Sequence, residues 1–258
     1  QAQWRRAAAL LHGMQSSGPR PDVVTYNATI GACREDATWP WALHLLEEMP
    51  QRSIEADIVS YNSAAGSCSS ASQLEAALAV FGASRMALEP TGISYNLAIG
   101  ACDKGQLWRE ALAFLGDMRR QKLQPTSVSF NASLGACETA GRWEEGLQLL
   151  EAMRRCCLSP EGAAYNSAVR ACEVATRWVA ALALLRDRRL RGPPLDFAGC
   201  KVVLLALCAA VRVAEAAALL REATDLGLLE VWRRDMPCAV DLHGLPVEVA
   251  KLAVQGRS

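Results

Sequence analysis

An aromatic residue followed by asparagine returns five times at one spacing, as Tyr26-Asn27, Tyr61-Asn62, Tyr95-Asn96, Phe130-Asn131 and Tyr165-Asn166. The aromatics stand 35, 34, 35 and 35 residues apart, and seven residues beyond each lies a cysteine: Cys33, Cys68, Cys102, Cys137 and Cys172. A second series keeps the same step. Trp4, Trp39, Trp108, Trp143 and Trp178 share one phase, with Leu74 in the single gap, and four of them have a methionine ten residues on (Met14, Met49, Met118, Met153). Two anchored clusters in one period of 34–35 residues point to a solenoid of repeated units rather than one globular core.

Inside each unit the spacing is helical. Tyr26, Ile30 and Cys33 fall at i, i+4 and i+7, which places them on one stripe of an α-helix. Pro21-Asp22 ahead of that stripe gives a turn and then an N-cap. A polar break follows, and a second helix is read from stretches such as "WREALAFLGDM" and "WEEGLQLLEAM". Two short helices cannot bury their apolar faces alone, whereas stacked pairs can. The repeated tyrosines and tryptophans are therefore expected in the core between helices.

Composition narrows the function classes. Of 258 residues, 51% are apolar and 21% charged, enough to bury a sizeable core. Lys+Arg and Asp+Glu balance at 27 each, so net charge argues neither for nor against a polyanionic partner. Basic clusters at Arg5-Arg6, 119–122, Arg154-Arg155 and 186–191 read as solvated helix ends. The phased cysteines cannot easily pair with one another, and they read as small core residues in a reducing compartment. No cysteine–histidine spacing suits zinc, and no carboxylate cluster or nucleophile triad stands out. The longest apolar run, Val202 to Val211, is ten residues, too short to span a bilayer. The opening "QAQWRR" lacks an initiator Met and reads as the start of a fragment.

The stretch "VVTYNATIGACREDATWPWALHLLEEMPQRSIEAD" resembles a pentatricopeptide repeat (PPR), whose units run V-T-Y-N-x-L-I-x-x-C, then a second helix ending E-M. Tetratricopeptide landmarks do not occur in their order. The resemblance covers residues 1 to about 231. It divides them into the second helix of a partial unit (1–22), five units (23–57, 58–91, 92–126, 127–161, 162–196) and a degenerate one (197–231). It implies an all-α fold, a right-handed α-solenoid of helix-turn-helix repeats.

The asparagine follows the buried aromatic by about 100° around the helix, at the edge of the apolar stripe, where a once-per-unit residue lines a groove. A carboxamide carries both a donor and an acceptor and can meet the edge of a splayed base. In the resembled family one base is read per repeat, by the fifth and last residues of each unit. Carried over, the pairs are Asn27/Asp57, Asn62/Thr91, Asn96/Thr126, Asn131/Glu161 and Asn166/Asp196. The resemblance implies uracil for Asn with Asp, cytosine for Asn with Thr, and an unresolved pyrimidine for Asn131/Glu161. The second residue of each unit sandwiches bases in the family: here Val24, Val59, Ile93 and Val128, with the smaller Ala163 in the fifth. Lys201 and Val231 hold the reading places of the degenerate unit and fit no base edge.

After Trp232 the texture changes. Asp241-Leu242-His243-Gly244, followed by Pro246, resembles the opening of a small MutS-related (Smr) domain, truncated within 232–258 and unable to act as a nuclease alone. The expectation is thus a single-stranded RNA-binding array and not an enzyme, with no cofactor, no metal and no membrane segment. The resemblance implies a chloroplast or mitochondrial setting and RNA-processing factors as possible further partners. The alternative is a solenoid scaffold binding peptides in its groove.

Overall fold

The computed structural model describes residues 3–34 and 38–193, then Cys200, Val203, Leu204, Leu207, Ala216, Ala218, Leu219 and Arg221. Among the described residues there are eleven α-helices and no strand: α1 (Gln3–Ser17), α2 (Val23–Ala32), α3 (Trp39–Gln51), α4 (Ile58–Ser70), α5 (Leu74–Ala87), α6 (Gly92–Lys104), α7 (Trp108–Arg120), α8 (Ser127–Thr139), α9 (Trp143–Arg155), α10 (Gly162–Val174) and α11 (Trp178–Arg191). Lys201, Asp196, Val231 and the Asp241–Gly244 motif lie outside the described residues. The chain divides into two compact units, Gln1–Ala136 and Cys137–Ser258.

In the first unit α2, α4 and α6 pack side by side, while α3 lies on both α2 and α4 and α5 on both α4 and α6. Each second helix thus covers the joint between two first helices. In the second unit α10 packs between α9 and α11. This nesting is what an all-α helical-repeat solenoid requires: no pair is stable without its neighbour.

The phased residues fill the joints. Tyr26, Tyr95, Phe130 and Tyr165 are at most 1% exposed, and all five phased cysteines are buried. Burial pushes the thiols of Cys68 and Cys172 up to about 11, and those of Cys102 and Cys137 up to about 12. They stay protonated at neutral pH and serve as packing atoms. Tyr61 is only half-buried.

Tyrosine hydroxyls tie successive second helices together. Gln15 on α1 donates to both Tyr26 Oη and Glu48 Oε1, at 3.2 Å each. In the second unit Arg154 on α9 donates to Tyr165 Oη at 2.7 Å and pairs with Asp187 on α11, while Tyr165 Oη donates to Asp187 at 3.0 Å. Phe130 has no hydroxyl, and there the Arg119 guanidinium lies over the ring, 5.7 Å from its centroid.

The tryptophans depart from expectation. All five phased tryptophans are half-buried rather than core. Four of them open their helices. A helical side chain leans back toward the N-terminus, and at the first position no preceding turn lies there to cover it. Arginines lie over three of the rings: Arg5 at 5.6 Å from Trp4, Arg109 at 5.1 Å from Trp108 and Arg177 at 5.4 Å from Trp143.

The recurring cysteine and methionine also share a backbone role. The Cys68, Cys102, Cys137 and Cys172 carbonyls accept the i+5 N–H that closes their helices, as do the Met49, Met118 and Met153 carbonyls. This is the Schellman pattern, which needs a left-handed residue one place earlier. Glycine fills that place only at Gly141 (φ 64°); Ser53, Ser72, Gln106, Lys122, Cys157 and Thr176 hold φ between 56° and 60°. A β-branched residue is the least suited to that region. Thr176→Gly is expected to stabilise the protein by about 1 kcal/mol, read as a raised midpoint in thermal or urea unfolding.

Candidate nucleic-acid interface

The residue four places before each phased aromatic starts the first helix of a pair. Asp22, Asp57, Thr91 and Glu161 are N-caps of α2, α4, α6 and α10, all with extended backbone. Asp57, Thr91 and Glu161 are at the same time the last residues of the sequence-derived units. One set of positions therefore serves both as cap and as candidate reader. Capping fixes where each of these side chains stands.

Asn27 and Asp57 show what the junction can do. Asn27 Nδ2 donates to Asp57 Oδ1 at 3.1 Å, and Asp57 Oδ1 also takes the Ser60 backbone N–H at 2.8 Å. The Ser60 hydroxyl bonds Asn27 Oδ1 at 2.6 Å and lies 2.9 Å from Asp57 Oδ1. These contacts fall on Oδ1 of the exposed Asp57. Burial alone would raise the Asp57 carboxyl; the hydrogen bonds from Ser60 and Asn27 outweigh it and hold the group below the usual carboxylate range.

The third unit forms the same junction through a different last residue. Ser129 Oγ donates to Asn96 Oδ1 at 2.5 Å and takes the Thr126 backbone N–H at 3.1 Å, with Thr126 Oγ1 at 3.3 Å. Around Asn62 the equivalent Ser94 hydroxyl bonds Thr91, through its N–H at 3.1 Å and its Oγ1 at 3.2 Å. Asn131 Oδ1 is buried with no hydrogen-bond partner among the described residues. In the second unit Arg188 Nη1 donates to Asn166 Oδ1 at 3.0 Å. Arg188 occupies the methionine place of its helix, 3% exposed, and its Nε also reaches the Pro193 carbonyl at 3.3 Å.

Three residues before each asparagine, on the same helix face, stands an exposed branched apolar side chain. Val24 is 72% exposed, Val59 51%, Ile93 65% and Val128 61%. Ala163 is exposed as well. All five asparagines are half-buried. The first unit therefore carries a row of apolar side chains alternating with amides along α2, α4, α6 and α8. An apolar row left in water beside aligned hydrogen-bonding groups is the surface expected of a ligand face.

The same face continues through a glycine to a polar residue. A Cβ on Gly135 would lie 2.6 Å from Asp103 Oδ1, so that carboxylate rests on the α8 backbone. Farther along, Arg34 Nε donates to Ser70 Oγ at 3.3 Å and Lys104 Nζ to the Ser69 carbonyl at 2.5 Å. In the second unit Arg170 replaces the glycine and pairs with Glu138 at 2.9 Å. Burial raises the Glu173 carboxyl, with Arg170 opposing and Glu138 reinforcing the shift. Within each unit acids and bases are thus mixed on this face, which makes it a weak attractor of phosphate. Among the described residues no group of three or more metal-ligating side chains is gathered.

The sequence reading singled out the amides, caps and branched residues but not Ser60, Ser129 or Arg188. The signal for the serines was present, since Thr25, Ser60, Ser94 and Ser129 each precede the aromatic. Arg188 was legible only as a break in the methionine series.

Residues 44–104 match the model described as Pentatricopeptide repeat domain, and residues 128–158 that described as PPR repeat. These stretches are pentatricopeptide repeats. No curated protein matches the chain. The pentatricopeptide repeat protein PPR10 from maize superposes with a TM-score of 0.68 at 25% identity, over 98% of this chain and 37% of that one. PPR10 in complex with an 18-nt psaJ RNA element superposes with a TM-score of 0.58 at 23% identity, over 88% of this chain and 37% of that one. The chain spans little more than a third of the length of these structures.

Because the folded Asp57 carboxyl titrates below its unfolded value, its contribution is fully present above the unfolded pKa of about 3.9 and vanishes as pH falls through the lower folded value. Asp57→Ala is expected to cost about 1 kcal/mol at pH 7, the usual worth of an N-cap. In melts of both proteins, the gap should narrow once pH falls below the unfolded carboxylate value of about 3.9 and close below the lower folded one.

Proposed function

We propose that this chain binds single-stranded RNA along the asparagine face, one base per repeat, with a preference for pyrimidines. The observation that carries the reading is the Asn27–Asp57 pair beside the exposed Val24 and Val59. An amide N–H and an accept-only carboxylate, side by side, complement a uracil edge, which offers a carbonyl acceptor next to an N3–H donor. The branched side chains supply apolar surfaces against which the faces of successive bases rest. Where threonine replaces the aspartate, as at Thr91 and Thr126, a hydroxyl lone pair can accept from the cytosine amino group. From the N-terminal unit, 5′ to 3′, the tract is U-C-C-Y-U. The similarity to PPR10, solved in complex with an RNA element, supports RNA as the ligand class.

In this reading the chain holds RNA for other factors and performs no chemistry of its own. A chloroplast or mitochondrion is the compartment that fits a pentatricopeptide array. The balanced charge of 27 against 27 favours a second reading, a groove for peptides. Selection from randomised RNA separates the two: an enriched pyrimidine tract supports the first, and no enriched motif the second.

Replacing Asn96 by Ser shortens the amide to a hydroxyl. Competition binding should show about tenfold weaker affinity for the parent tract, within the 1–3 kcal/mol carried by a good base contact. Affinity should return when the third base alone becomes a purine. An unchanged third-base preference removes Asn96 as a reader. Salt dependence should be shallow, with about two to four phosphates engaged and a slope of about 0.7 per phosphate; a slope near ten would mean that backbone charge dominates.

A further inference from the structure

We propose that Ser129 is a positioning residue for base specificity: from the following repeat, it fixes which end of the Asn96 amide faces the ligand. The proposal rests on the RNA-binding reading above. The two ends of a carboxamide have nearly the same shape and opposite hydrogen-bonding sense, so a half-turn about the side chain exchanges donor for acceptor. A reader of this kind has a defined specificity only if something holds its orientation.

Ser129 has the means to hold it. A hydroxyl offers one proton and two lone pairs. The Thr126 backbone N–H, at 3.1 Å, occupies one lone pair, and Thr126 Oγ1, at 3.3 Å, is placed to occupy the other. The single proton then goes to Asn96 Oδ1 at 2.5 Å. With Thr126 Oγ1 as the donor of its contact, both lone pairs of Ser129 are engaged, and Asn96 presents its oxygen to Ser129 and its N–H groups to the open face. At Asn27 Ser60 likewise meets Oδ1, at 2.6 Å, but its one proton also faces Asp57 Oδ1 at 2.9 Å. There Asp57 adds a second lock, because a flipped amide would set its oxygen against the carboxylate that now accepts from Nδ2 at 3.1 Å. The last residue of the Asn96 unit is Thr126, which supplies no carboxylate, so this second lock is replaced and the serine sets the orientation.

Asn131 shows the opposite condition. Its Oδ1 is buried with no hydrogen-bond partner among the described residues. A carbonyl held this way gains nothing from its orientation, so the repeat of Asn131 should tolerate either sense of hydrogen bond.

The test is competition binding of the whole chain against oligonucleotides varied one base at a time. Ser129→Ala is expected to lose about tenfold of the discrimination at the base opposite Asn96, the worth of one hydrogen bond, and to leave the base opposite Asn27 unchanged. Ser129→Thr should restore it, as Thr25 already holds the equivalent place before Tyr26. Ser60→Ala should have a smaller effect at its own base, because Asp57 still holds Asn27. A merely structural serine would instead lower the melting temperature and weaken all sequences alike. If Ser129→Ala fails to fold, Ser129→Cys carries the test, with similar volume and a weak donor. Undiminished discrimination in a folded variant, or uniform weakening, overturns the positioning role. A wild-type chain that distinguishes no base at any position overturns the RNA reading, and this proposal with it.

Discussion

Helices of ten to fifteen residues are marginal on their own in water. Everything in this fold depends on how such helices are made to bury one another. The buried aromatic in four of the five first helices is the device. Tyr26, Tyr95, Phe130 and Tyr165 lose essentially all their exposure, and removing side chains of that size from water contributes roughly 1.5–3 kcal/mol each. That gain is available only where a second helix covers the joint. Repetition follows from this, because each pair presents a fresh face to the next.

Burying the aromatic also places its neighbours. The residue after it must sit at the rim of the packed stripe, and the residue three earlier is carried to the outer surface. Asn96 and Ile93 are held in fixed relation because Tyr95 between them is anchored. The cap then sets the second half of the site. An N-cap has to lie where the chain enters the helix, so Asp57 reaches the Asn27 amide of its own unit for reasons of backbone geometry. The candidate site is thus a by-product of helix stacking, and its chemistry varies with single residues that the fold leaves open.

Variation at those open residues is informative. The tyrosine hydroxyl clamp appears with an acid on the covering helix, as with Glu48 and Asp187, and Phe130, lacking the hydroxyl, has a stacked arginine. Arg188 in place of the repeated methionine brings a guanidinium into a buried site and engages Asn166. These substitutions keep the joint filled while changing what is polar within it.

The sequence by itself determined the architecture. The period of 34–35 residues, the helical spacing of Tyr26, Ile30 and Cys33, and the caps four places before the aromatics specify helix pairs that must stack. It also determined which side chains face outward, because the 3.6-residue turn fixes that once the buried stripe is known. Tertiary structure decided the rest. The tryptophans lie half-covered because they open their helices, a matter of where the covering helix ends. Ser129 meets Asn96 across 33 residues, a contact created only when one repeat is laid on the next. The sense of each amide is a hydrogen-bonding choice made between repeats, and residue spacing along one chain carries no record of it.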